Sequence, residues 1–176
     1  MDRIDENEIK IPPGLVDVSD EPHPADRYTR YTKNCANAFL EKNVRHIQHT
    51  YCAMIAALDD LVGRVLTTLD DLGLRESTYI IFSSDHGEMA GEHNQILKRT
   101  MYESSIHEPL IVAGPGVQQG ATEDTPVSLV DLFPTFMDMA GLNYADFAQD
   151  DPAYPDQLDG ESLMPLLTNG DKSQHR

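Results

Sequence analysis

The sequence predicts an α/β fold, and three observations carry that prediction. Segment 44–72 places apolar residues at three- and four-residue steps, the mark of an amphipathic helix. Two short runs, 78–82 and 109–113, are dominated by β-branched, aromatic and aliphatic residues and read as buried strands. The first run breaks abruptly into Ser83-Ser84-Asp85-His86-Gly87-Glu88, so polar groups collect at its carboxyl end, where open α/β sheets bind ligands.

In chain order, residues 1–43 form an acidic, Pro-containing connecting segment with Ile11-Pro12-Pro13-Gly14 and Pro22-His23-Pro24, and an irregular course is expected there. Val44, Ile47, Tyr51, Met54, Leu58, Leu61, Val65, Leu69 and Leu72 then make one apolar stripe. Asn43 is a suitable N-cap and Gly73 a suitable left-handed stop. The stripe predicts a helix packed on a sheet, with Asp59, Asp60, Asp70 and Asp71 facing solvent. After the first strand comes a polar loop, 88–103, with Gly91, His93, Asn94 and the adjacent cations Lys98 and Arg99. The second strand is led by His107 and ended by Gly114-Pro115-Gly116. A further helix is expected over 129–140, with Asp131 in its first turn, Pro134 tolerated there, and Gly141 closing it. Residues 142–161 are acidic and loop-like, and Ser162–Leu167 is a last apolar patch. The resulting organisation is a connecting segment (1–43), the main α/β part (44–141), and an acidic loop opening a further subdomain (142–176).

The bulk properties narrow the possibilities. A chain of 176 residues, 40% hydrophobic, supports one core. The net charge of −17 argues against general nucleic-acid binding. No run approaches the ~18 apolar residues of a membrane span, and no signal-peptide pattern opens the chain. No Lys or Arg stands between Arg99 and Lys172, which reads as a solvated acidic surface. Cys35 and Cys52 form neither a metal-ligand spacing nor a redox pair, and Cys52 reads as a small core residue. Two strands are too few for a parallel sheet covered by helices, so the apolar stripes need partners beyond these residues.

Three groups are candidates for chemistry. Asp85 and His86 offer an anionic oxygen and an imidazole nitrogen, half of a metal site; the alternative is a strand-end cap beside a satisfied histidine. Lys98 follows Asp85 by thirteen residues across a Gly-containing loop, and can return as a point charge for an anionic substrate group or remain a surface lysine. His107 lies at the same polar edge if the strands are parallel neighbours, where it can donate a proton to an oxyanion or leaving group. Glu88, Glu92 and His93 read as residues that order the loop, and His23, His46, His49 and His175 carry no defensible signal. No nucleophile is evident: Ser83 and Ser84 lack a Gly-x-Ser-x-Gly elbow, and Cys35 has no neighbour to activate it.

At Ser83-Ser84-Asp85-His86-Gly87-Glu88, Gly91-Glu92-His93 and Lys98 the sequence resembles the sulfatase family of the alkaline phosphatase superfamily. The likeness runs through Tyr51-Cys52-Ala53-Met54, Leu58–Gly63, His107–Ile111, Gly114-Pro115-Gly116, Val130–Thr135 and Leu158–Leu163, in the family's order. His23–Asp26 and Tyr31–Cys35 are particularly similar to a subgroup that removes 2-O-sulfate from glucuronate residues of glycosaminoglycans. The resemblance implies a mainly parallel sheet covered by helices, with the N-terminal half of the domain missing, and a sulfuric ester hydrolase acting on an aryl or sugar sulfate. A phosphonate monoester or phosphodiester hydrolase of the same superfamily is the alternative, as is a non-catalytic fragment needing a partner segment. Asp85 and His86 match two metal ligands of a site that usually holds Ca2+, with Mg2+, Mn2+ or Zn2+ left open because a histidine ligand is unusual for calcium. Lys98 matches the sulfate-binding lysine, and His107 a position near the pocket. The family's formylglycine nucleophile arises from a Cys/Ser-x-Pro/Ala-x-Arg motif that these residues lack, as they lack its early Asp ligands. The expected partners are a sulfated small molecule or glycan and the missing N-terminal portion, which would complete the sheet.

Overall fold

The structure, a computed structural model, describes residues 4–12, 23–148 and 158–173. Among them are six α-helices and two strands: α1 (Pro24–Thr32), α2 (Glu41–Asp71), β1 (Ile80–Ser83), α3 (Glu103–Ile106), β2 (Leu110–Ala113), α4 (Leu132–Met139), α5 (Ala145–Ala148) and α6 (Met164–Asn169). They fall into two compact units, one of Met1–Gly73 with Ser83–Pro109, the other of Leu74–Phe82 with Leu110–Arg176.

The first unit is built on α2. The helix starts earlier than the stripe alone suggests: Leu40 occupies the cap without a side-chain hydrogen bond, and Asn43 already lies in the first turn, its N–H donating to the Leu40 carbonyl. It ends as expected at Gly73, whose φ of 67° is left-handed. The stripe does not form the expected core. Val44 is fully buried, but Met54, Leu58, Leu61, Val65 and Leu72 are all exposed, Leu72 to 64%. Among the described residues no sheet layer covers them, so the apolar face stands open. Asp59, Asp60, Asp70 and Asp71 are exposed as expected.

Segment 1–43 is not wholly irregular, because it contains α1. That helix has Pro24 at its first position, where the missing N–H costs nothing, and the His23 ring accepts from the Ala25 N–H. Its polar sequence, PADRYTRYT, hides it from an apolar-period reading. Residues 13–22 and 149–157, on which part of the connecting and acidic-loop readings rest, lie outside the described residues, as does His175.

The strands of the second unit are short and half-buried, not buried: β1 is intermediate throughout, and Ile111 in β2 is 62% exposed. They pair with each other in a two-stranded sheet and run antiparallel. Gly114, at the end of β2, lies against Tyr79 and the Thr78 carbonyl at the start of β1, which requires opposite directions. A mainly parallel sheet is therefore not what the described residues form. A parallel pair needs a covering crossover, and the link 84–109 contains only a 3-10 turn, Glu92–Asn94, and the single turn of α3.

The predicted helix over 129–140 divides into a 3-10 turn, Leu129–Asp131, followed by α4. Asp131 is buried and works harder than a first-turn acid. Its Oδ2 accepts from the Ser128 N–H (2.7 Å) and its Oδ1 from the Glu161 N–H (3.0 Å), while Thr135 Oγ1 donates to its carbonyl and accepts from the Leu163 N–H. This network ties segment 158–163 to the start of α4, and the buried Leu163 and Leu166 form the core beside it. Residues 164–169, read from the sequence only as an apolar patch, are the helix α6. No helix among the described residues is long and apolar enough to cross a membrane.

Candidate active site

The exit from β1 is shaped by a close backbone approach. Gly87 donates its N–H to the Ser105 carbonyl (3.1 Å), and a Cβ at Gly87 would collide with the Ser104 carbonyl. Only glycine fits there. The approach brings the lead-in to β2 beside Asp85 and His86. Antiparallel pairing is what puts His107 at this end of the strands; the parallel arrangement assumed from sequence would have sent it to the far end.

His86 is the hub. Its Nδ1 lies 2.9 Å from the Gly87 carbonyl, which can only accept, so Nδ1 carries the hydrogen and Nε2 presents a lone pair. Asp85 Oδ2 lies 3.4 Å from that Nε2. Two electron-pair donors converging in this way are stabilised by a cation between or beside them, and the structure supplies one: Lys98 Nζ contacts His86 Nε2. The donor set therefore fits one edge of a divalent-cation site, with the imidazole orientation fixed by its other nitrogen. It is an edge only. Among the described residues no three His, Cys, Asp or Glu side chains come together to hold a metal. Asp85, His86 and Lys98 are brought together; His107 pairs instead with Glu103, Nδ1 to Oε2 at 2.9 Å, in an exposed i,i+4 contact.

Lys98 is presented by an unusual loop. Ala90, His93, Asn94, Leu97 and Arg99 all adopt positive φ, from 44° to 81°. A left-handed L-residue costs roughly 1–2 kcal/mol, so such a run persists only where other contacts hold it. Several do. Glu88 Oε1 accepts from the N–H groups of Ala90 (3.1 Å) and Leu97 (2.5 Å). Asn94, 2% exposed, accepts from the Phe39 N–H (2.6 Å) and donates to the carbonyls of Cys35 (2.8 Å) and Asn37 (2.9 Å). Gln48 donates to the Ala90 carbonyl and Arg30 to the His93 carbonyl. Gly91, at φ 99°, lets the loop settle on α2: a Cβ there would lie 2.6 Å from Val44 Cγ1.

Past Lys98, Asp26 on α1 accepts from Thr100 Oγ1 and from the Tyr102 hydroxyl, both at 3.2 Å, and the Tyr102 ring stacks on His93 at 3.9 Å. Burial, and then the Asp26 charge, pushes the Tyr102 phenol above its ordinary value. Asp26, Arg30, Glu88 and Asn94 thus all support the site, and of these only Glu88 was legible, as a loop-ordering residue. The signals for the others were an N-cap-like polar stretch and a lone Asn, neither of which names a partner. Cys35 is buried, and that burial pushes its thiol up, the opposite of an activated nucleophile.

The sulfatase family profile matches residues 7–142. The chain is 39% identical to arylsulfatase K of Homo sapiens over 176 residues, which is all of this chain and 31% of that protein. It thus spans about a third of the length of that relative. Among solved structures, a phosphonate monoester hydrolase from Silicibacter pomeroyi superposes with a TM-score of 0.81 at 28% identity, over 98% of this chain and 34% of its own. A second, solved in complex with its substrate D-glucosamine-2-N,6-O-disulfate, gives a TM-score of 0.68 at 31% identity, over 86% of this chain and 30% of its own. The likeness of both to this chain supports an α/β fold of the alkaline phosphatase type. On the family match across most of its length, the chain belongs to the sulfatase family.

Proposed function

We propose that these residues supply the metal-edge and sulfate-binding part of a sulfuric ester hydrolase whose substrate is a sugar sulfate. The observation that carries the reading is the convergence of Asp85, His86 and Lys98 in a chain of this family. Lys98 binds a sulfate oxygen as a point charge. Asp85 and His86 hold one edge of a divalent cation, calcium being the first candidate, with the remaining ligands outside these residues. When bound, that cation supplies electrostatic stabilisation of charge on the sulfate oxygens. The Glu103 carboxylate holds His107 Nδ1 and leaves Nε2 outward, where it can hand a proton to a departing sugar oxygen. The formylglycine nucleophile, and the strands that complete a parallel sheet over the open face of α2, belong to sequence upstream of these residues.

The test joins the chain to an upstream sequence carrying Cys/Ser-x-Pro-x-Arg and assays a 2-sulfated uronate, a 6-sulfated glucosamine and an aryl sulfate. Turnover of a sugar sulfate is expected, and Lys98→Ala should lower it on the order of a hundredfold or more. No sulfate release from protein with confirmed formylglycine would overturn the reading. The long match to the phosphonate monoester hydrolase favours a second reading, phosphonate monoester or phosphodiester hydrolysis, and the same preparation assayed on those esters separates the two.

The 176 residues alone are not a catalyst on this reading. Two protein donors fall short of the four or more a resident ion takes, so calorimetric titration with Ca2+ should show weak binding. Tight stoichiometric uptake by the isolated chain would contradict it.

A further inference from the structure

We infer that Glu88 is the positioning residue for Lys98. The inference rests on the reading of Lys98 as the sulfate-binding cation. Lys98 itself is exposed, and lies between two left-handed residues, Leu97 (φ 66°) and Arg99 (φ 81°). Neither neighbour has the backbone freedom of glycine, so its conformation has to be imposed from outside. On the Leu97 side the one side chain among the described residues that holds the backbone is a carboxylate, through a single oxygen. Glu88 Oε1 accepts from Leu97 N–H and Ala90 N–H together, and the Met89 N–H donates to the Leu97 carbonyl beside it (2.9 Å). On the far side, Thr29 Oγ1 reaches the Arg99 carbonyl only at 3.4 Å.

The geometry closes a ring. Glu88 stands two residues beyond His86, its carboxylate holds Leu97, the next residue is Lys98, and Lys98 Nζ returns to His86 Nε2. One short stretch, Asp85-His86-Gly87-Glu88, therefore carries both the candidate metal edge and the brace that sets how far the substrate-binding cation stands from it. Charge-assisted hydrogen bonds to backbone N–H groups suit this task, because they are strong and directional. Glu88 touches neither substrate nor metal in this arrangement; it acts through Lys98.

The test is nuclear magnetic resonance on the 176-residue chain, unmodified and as Glu88→Ala, Glu88→Asp and Glu88→Gln. The unmodified chain should show a nuclear Overhauser contact between the His86 ring and the Lys98 side chain, with His86 Nδ1 protonated. Glu88→Ala should abolish that contact and speed amide exchange at Leu97 by at least about tenfold, while the Asn94-anchored residues 35–39 keep their shifts. Glu88→Gln retains an oxygen at the same reach and should restore the contact. Glu88→Asp keeps the charge but falls short of Leu97, so it should behave like Ala; it also decides the matter if Glu88→Ala fails to fold. Persistence of the His86–Lys98 contact in Glu88→Ala or Glu88→Asp overturns the inference, as does its loss in Glu88→Gln. The readout is independent of sulfate turnover. A braced Lys98 in a protein that releases no sulfate sinks the sulfatase reading alone, and turnover with an unbraced Lys98 sinks the Glu88 assignment alone.

Discussion

Helix α2 and the loop 88–99 are neighbours in one unit, and they are built on opposite principles. α2 is regular, local in its hydrogen bonding, and presents an apolar face of which only Val44 is buried. The loop contains five left-handed non-glycine residues, yet it holds Met89, Ala90, Asn94 and Gln95 almost completely out of solvent. Its order comes from side chain–backbone hydrogen bonds, made by Glu88 within the loop, by Asn94 to residues far away in sequence, and by Gln48 and Arg30 to its carbonyls, and little of it from periodicity. A helix can form on local terms and leave its tertiary surface unfilled; a strained loop exists only where its tertiary contacts are already in place. The described part of the molecule is thus most specific where it is least regular, which is where Asp85, His86 and Lys98 meet.

The largest effect expected from that contrast is at Asn94. Asn94→Ala leaves the Phe39 N–H and the Cys35 and Asn37 carbonyls without their partner in a buried setting. Unpaired buried polar groups cost about 1–3 kcal/mol each, so a loss of at least about 3 kcal/mol is expected in a urea titration of the chain. A loss under about 1 kcal/mol would mean the loop is held some other way, and the contrast with α2 would fail.

Within α2 the two faces should respond differently to truncation. Val44 is fully exposed to nothing but protein, packed against Gly91, and Val44→Ala should destabilise by about 2 kcal/mol through lost burial and the cavity left behind. Leu61 is 54% exposed, and Leu61→Ser should change stability by no more than about 0.5–1 kcal/mol in this chain. Joined to the upstream sequence proposed above, the same Leu61→Ser should become costly, because the open face would then be covered. Equal costs in both contexts would show that the stripe is a solvent face and that no sheet is completed over it.

The contrast also explains what the sequence made legible. The helix α2, both strands and the turn to α4 follow from period, β-branched runs and glycine stops, and they are present in about the expected places. The start of α2 was displaced because Asn43 looks like a cap, whereas the chain enters the helix at Leu40 without one. α1 escaped notice because nine mostly polar residues carry no apolar period. The burial of the strands and of the α2 stripe was overestimated, since a sequence shows which face is apolar but not whether a partner is present. At the candidate site, Asp85, His86 and Lys98 stood out as candidates by their chemistry and by the family motif, and the structure brings their side chains together. The bracing by Asn94 was not, since its partners lie 55–59 residues earlier in the chain and no local rule names them. The direction of strand pairing, which decides where His107 falls, was likewise a tertiary fact.

The smallest expected effect lies in the other unit and sets a scale for exposed charges. Glu123 accepts from Lys172 Nζ (2.7 Å), from Thr125 Oγ1 (2.7 Å) and from the Thr125 N–H (2.9 Å). The Lys172 hydrogen bond, and then the Thr125 bonds, lower its carboxyl from 4.5 to about 2. A depressed folded value means that the pair's stabilisation is in place above the unfolded value near 4.5 and is lost as pH falls through about 2. Because the carboxylate is exposed, the effect on global stability should be slight and should weaken in salt. The titration itself is the sensitive readout: the Glu123 carboxyl carbon should titrate near 2, and Lys172→Ala should move the midpoint upward while leaving the Asn94-anchored loop untouched. An unchanged midpoint in that variant would assign the shift to Thr125, making the local turn, and not the long-range ion pair, the cause.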